Sequence, residues 1–284
     1  MGTGLVGRLV ACTQAHFRRT LAGGYESDRP WRSIRWLQQH GNSLVFGRAA
    51  LWLKSDNSLK RDRAATILGQ LRSSGWRYNR KTGRLRSEPL RLYQRESFEA
   101  IVSALRTETD PRTIASFLHA LGHLDLEEGV PEIAAFAEHQ SAEVRFSVSC
   151  ALGCYPRVQQ SASVLERLID DVDRDVRDWA IFGVGVQGDA DSSQLRDAFV
   201  RHLDDSFLDA RIEAAAALAK RRDARVVRPL IRMLRRNGAL RGLTEAASDL
   251  LGMSDDPRDW HEREYIDALE ERFSEATSVA TPSR

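Results

Sequence analysis

Apolar residues recur along this chain in blocks of about a dozen positions, each closed by a small residue and followed by a polar turn. The closing residues are Gly69, Gly122, Gly153, Gly185, Ala219 and Gly252. One place before them stand Leu68, Leu121, Leu152, Val184, Leu218 and Leu251; five places before stand Ala64, Phe117, Val148, Ala180, Ala214 and Ala247. Spacings of three to five residues place these on one face of a helix. After the first, longer interval the closing residues are 31 to 34 positions apart, the period of a two-helix repeat; the excess in the first interval marks an insertion. Each block is followed by a second apolar helix, carrying Ile101/Val102, Ile133/Ala134, Val164/Leu165, Phe199/Val200 and Leu230/Ile231. Pro131 and Pro229 fall near the start of this helix, where a missing N–H has no intrahelical partner to lose. Neither helix buries its stripe alone, so the units must stack.

A second column reinforces the register. Eight places before the closing residue, Arg61, Arg145, Arg177 and Arg211 recur, while Ile114 and Thr244 break the series. The starts Val144-Arg145, Val176-Arg177 and Ala210-Arg211, the Leu-Gly closures and the run Val-Val-Arg-Pro-Leu-Ile at 226–231 resemble the HEAT repeat, in the short-unit form typified by the phycobilisome-lyase-like repeats. The resemblance covers roughly 57–252 and implies an all-α, right-handed solenoid of about six two-helix units, with capping helices at both ends. It speaks for architecture, because the residues that carry it are core residues.

The expected organisation has a leader over 1–25, disordered or capping, an aromatic N-terminal cap over 26–54, the array over 55–252, and a C-terminal cap helix and tail over 253–284. The cap expectation rests on Trp31, Trp36, Phe46 and Trp52, bulky enough to cover the open face of a first repeat; Trp31, Arg32, Arg35 and Trp36 also form an aromatic–basic set able to stack on nucleobases or anchor a protein. The insertion, 73–95, holds Arg77, Arg80, Lys81, Arg84, Arg86, Arg91 and Arg95 against Glu88. Its turn residues Asn79 and Gly83 between Tyr78 and Leu85 allow a β-hairpin.

Charge changes the picture only in its distribution. The net charge is +2, but residues 1–97 sum to +13 and the remainder to −11, a polarity able to steer a charged partner. The stretch 166–209 sums to −7; Asp171, Asp173 and Asp175 there are suited to cap the next helix.

Three sets of residues are candidates for binding. Trp179 and Phe182 are aromatic in columns that other repeats fill with polar or small residues. Arg225, Arg228, Arg232 and Arg235 are spaced to share one face of the last of these second helices, opposite Val226, Val227, Leu230, Ile231 and Leu234; the HEAT resemblance implies that this face lines the groove. Arg80, Lys81 and Arg84 sit on the insertion, where repeat arrays often bind.

Chemistry is scarce. No glycine-rich phosphate loop, G-x-S-x-G, zinc-helix or CxxC pattern occurs. Cys12, Cys150 and Cys154 are too few for a disulfide framework. The diiron hydroxylases built of HEAT repeats need several His-Glu pairs, and His261-Glu262 is alone here. No run is long enough for a membrane helix. The expected function is therefore a non-enzymatic, cytoplasmic, cofactor-free protein-binding adaptor, of the immunity or assembly-factor kind, seizing one protein partner. The alternative is a nucleic-acid-binding protein, glycosylase-like, using a basic groove. A bilin or cofactor lyase is implied only by the resemblance.

Overall fold

The computed structural model describes residues 2–25, 27–73, 76–79, 84–87, 90–253 and 260–274, with backbone alone for 2–6, 76–79 and 84–87. The expected turn of the insertion, with Arg80 and Lys81, lies outside the described residues. The chain divides into two compact units, Met1–Tyr155 and Pro156–Arg284.

The first unit contains α1 (Gly2–Thr20), α2 (Trp31–Gln39), α3 (Ser43–Trp52), α4 (Ser58–Leu68), β1 (Trp76–Asn79), β2 (Arg84–Ser87), α5 (Gln94–Leu105), α6 (Pro111–Leu124), α7 (Gly129–Ala134) and α8 (Ala142–Gly153). Polar side chains start these helices where the sequence places them. Asn42 accepts from the N–H of Leu44 and Val45, Asn57 from Lys60, and Asp110 from Thr113 ahead of Pro111. Helices α2, α4, α6 and α8 form one layer, with α3, α5 and α7 packed behind it. The segment 1–25, expected as a leader, is largely helical: α1 packs on α2 and α3, and Phe17 and Thr20 are fully buried. Within the insertion β1 and β2 pair antiparallel, with Tyr78 opposite Leu85 and Trp76 opposite Ser87, the strand pairing a hairpin requires.

The second unit contains α9 (Gln159–Leu168), α10 (Arg174–Ile181), a π-helical turn (Phe182–Gln187), α11 (Ser193–His202), α12 (Leu208–Lys220), a 3₁₀ turn (Ala224–Val226), α13 (Val227–Asn237), α14 (Arg241–Leu251) and α15 (Glu262–Arg272). Asp173 caps α10 through the N–H of Asp175 and Val176, and Asp171 holds the Asp173 N–H. Helices α10, α12 and α14 make the facing layer here.

The inferred core columns are buried. Ala64, Phe117, Val148, Ala180, Ala214 and Ala247 are all inaccessible, and Leu68, Leu121, Leu152, Val184 and Leu218 nearly so; Leu251, the last of the series, is only half-buried. The closing glycines mark where successive facing helices touch. A Cβ on Gly69 would stand 2.8 Å from the Ala120 Cα, one on Gly122 2.9 Å from the Ala151 Cα, and one on Gly185 2.6 Å from the Ala217 Cβ. Gly252 has φ +69° and ends α14 in the left-handed conformation instead. The arginine column is equally structural. Arg61, Arg145, Arg177 and Arg211 each donate from Nη1 to the carbonyl six residues earlier: Ser55, His139, Asp171 and Asp205. Each arginine thereby ties the turn that enters its helix to the helix itself.

Candidate functional site

The facing layer of the second unit gathers the most distinctive surface. Trp179 is 40% exposed on α10. Phe182 meets its ring edge-on, centroids 5.7 Å apart and planes 79° from parallel, a favourable arrangement for two aromatic quadrupoles. Phe182 opens the π turn, whose wider ring brings the Gly188 N–H to the Gly183 carbonyl at 2.9 Å.

Carboxylates from the same layer accompany the aromatic pair. Burial raises the Asp178 carboxyl to about 6, helped by the negative charges of Asp209, Asp175 and Asp205. Burial likewise lifts Glu213 on α12 to about 7, with Asp178, Asp209 and Glu245 adding repulsion. Asp249 on α14 is raised by burial and by Glu245, against the pull of Lys220 and Arg222. The Asp178 Oδ1 is buried without a hydrogen-bond partner among the described residues. Glu213 and Asp249 stand six and three places before a closing residue, in the same columns as Trp179 and Phe182, while Asp178 and Glu245 stand seven places before, in the adjoining column; reading the acids along these columns would have found them.

The arginine set is divided by its partners. Arg225 lies in the 3₁₀ turn and is held by Asp223 (Nη2–Oδ2 2.7 Å) and Asp197 (2.5 Å). Arg235 pairs with Glu270 of α15 at 2.5 Å. Arg228 and Arg232 make no ion pair among the described residues, and Arg232 is exposed. Val226, Val227, Leu230, Ile231 and Leu234 form the buried side opposite. Arg84 lies in β2, with only its backbone described.

Among the described residues, no group of three or more His, Cys, Asp or Glu side chains is placed to hold a metal ion, and no helix is long and apolar enough to cross a membrane. Cys12 and Cys154 are exposed and Cys150 is half-buried.

Residues 98–185 and 161–248 match the family described as HEAT repeats. Protein YibA of Escherichia coli, in strain K12 and in O157:H7, is 34% identical over 121 residues, 42% of this chain and 41% of the relative. The match thus spans about two fifths of the length of these curated relatives. The X-ray structure of Escherichia coli YibA superposes with a TM-score of 0.66 at 23% identity, covering 95% of this chain and 98% of the other; this is a likeness of fold. The complex of CpcE and CpcF of phycocyanin lyase from Nostoc is more distant, with a TM-score of 0.46 at 12% identity over 91% of this chain and 94% of the other. With its repeats matched over more than half its length and its helices stacked on a shared ladder of core residues, the chain belongs to the HEAT-repeat family.

Proposed function

We propose that the protein is a non-catalytic binding scaffold that takes a protein partner on the facing layer of its second unit. Trp179 and Phe182 are the apolar anchors, and the carboxylates around them receive basic side chains. The observation that carries this reading is the exposed Trp179 edge-on to Phe182 beside carboxylates held up to about 6 and 7. Tryptophan desolvated at an interface is a frequent energetic anchor, and a cationic side chain beside it gains from both the ring face and the unrelieved negative field. An immunity or assembly role is of this kind, since each acts by seizing one protein; both are compatible with a cytoplasmic setting. The nucleic-acid reading finds less support, because Arg225 and Arg235 are already paired with acids and the facing layer carries negative charge that repels phosphates.

The test is affinity capture from cells that encode the protein, comparing the wild type with Trp179→Ala and with Arg228→Glu/Arg232→Glu. A partner protein retained at high salt and lost with Trp179→Ala is expected. Recovery of nucleic acid with steep salt dependence, lost only in the double arginine variant, would replace this reading with the other.

A further inference from the structure

The first unit carries a separate polar cleft over α2, α4 and α6, with a volume of 480 Å³, within the range typical of small-molecule sites. Its floor is a locked pair. Asp62 and Arg63 have side chains 7% exposed and meet at 3.1 Å. The Arg63 guanidinium also donates to the carbonyls of Thr20 (3.2 Å) and Gly24 (3.0 Å). Ser116 donates to the other Asp62 oxygen. The pair thus cancels its own charge and stands rigid.

The walls offer hydrogen bonds without charge. Burial lowers His119 to about 4, and His123 is lowered by burial and then by Arg91 and Arg72, so both rings are neutral near pH 7. The Ser147 hydroxyl donates to the Glu143 carbonyl at 2.9 Å and lies 3.1 Å from the His119 Nε2. With that hydrogen committed, His119 donates from Nε2 and keeps Nδ1 as an acceptor. Gln70 adds an amide, and Thr66, whose hydroxyl donates to the Asp62 carbonyl, keeps its lone pairs as acceptors.

Two groups at the rim set the ligand chemistry. Trp31 is 50% exposed and lines the cleft, and it is a platform for a flat ring. Its neighbour Trp36, by contrast, is stacked between His16 and His40, centroids 4.1 and 4.3 Å away, and belongs to the cap. Arg35, one helical turn from Trp31, is exposed and makes no ion pair among the described residues. With Asp62 and Arg63 cancelling, Arg35 is the unbalanced charge of the lining.

We propose that this cleft binds a nucleoside monophosphate. The base stacks on Trp31, its edge meets the mixed donors and acceptors of Gln70, Thr66 and His119, and the phosphate pairs with Arg35. The site is independent of the protein-binding face in the second unit.

Calorimetric titration of the 284-residue chain tests it with AMP, adenosine, inorganic phosphate and a single-stranded hexanucleotide. Both rim residues are exposed, so Trp31→Ala and Arg35→Glu are expected to fold, as melting curves will verify. Saturable AMP binding is expected, tighter than adenosine or phosphate alone. Each variant should weaken it by about tenfold or more, the worth of one stacking or charge-assisted contact; Arg35→Glu should leave adenosine binding unchanged. Absence of AMP binding at millimolar concentration, or AMP binding indifferent to both variants, would overturn the site. A hexanucleotide bound more than tenfold tighter than AMP would overturn the assignment to a free nucleotide.

Discussion

Arg177 grips Asp205 with both Nε and Nη2, each bond 2.8 Å long, across 28 residues of sequence. The same guanidinium holds the Asp171 carbonyl at 2.9 Å, so one side chain joins the start of α10 to the turn that leads into α12. Arg61 repeats the arrangement with Glu108 and the Ser55 carbonyl. The Asp205 side chain is 5% exposed and that of Arg177 14%, and the pairing with Arg177 holds the Asp205 carboxyl far below the usual carboxylate range. Arg177→Ala is expected to destabilise the second unit by about 2–3 kcal/mol, because it takes the guanidinium from a mostly buried carboxylate and leaves the Phe207 N–H and His202 beside it; urea denaturation measures it.

Glycines that look alike in sequence should respond in opposite directions. Gly122 faces the Ala151 Cα at a distance no Cβ tolerates, whereas a Cβ on Gly47, inside α3, would meet nothing within 4 Å. Gly122→Ala should therefore force α6 and α8 apart and cost about 1–3 kcal/mol. Gly47→Ala should stabilise by about 0.5–1 kcal/mol through helix propensity. Paired thermal melts of the two variants decide the matter.

The carboxylates beside Trp179 give the second unit a pH dependence. Asp178 and Glu213 have folded-state values raised to about 6 and 7, above those of unfolded chains, about 3.9 and 4.3. The folded state therefore holds protons that the unfolded state has released, and stability falls as pH rises from about 4 to about 7. Asp178→Asn with Glu213→Gln should raise the melting temperature by a few degrees at pH 8 and leave it unchanged at pH 4.

The same field makes partner binding release protons. At pH 7 Glu213 is close to half protonated, and a cation placed beside it favours the ionised form. Calorimetry in buffers of different ionisation enthalpy should show proton release on binding near pH 7, falling towards zero at pH 9 and abolished by Glu213→Gln.

The fold was legible because its signals are local and repeated. A closing glycine with Leu before it and Ala or Phe five places back reports a helix face wherever it occurs; of the three aspartates suited to cap, Asp173 caps α10, while Asp171 holds the Asp173 N–H and Asp175 lies inside the helix. The arginine set was only half legible. Arg225 and Arg235 share a spacing with Arg228 and Arg232; Asp223, two residues from Arg225, was in view as its partner, but Asp197 and Glu270 lie 28 and 35 residues away on other helices, and side-chain spacing on one helix carries no information about them. The burial of Phe17 and Thr20 under the cap was hidden for a similar reason: α1 has no counterpart in the repeat. The π turn at 182–187 hides within a normal repeat length. The cleft beneath Trp31 draws on three helices, of which only the Trp31–Arg35 rim stood out in the sequence.

The most direct measurement is hydrogen exchange on the captured complex, compared with the protein alone. Binding through the facing layer predicts new protection on α10, α12 and α14 around Trp179 and Glu213, with α13 unchanged. Protection confined to α13, at Arg228 and Arg232, would contradict it.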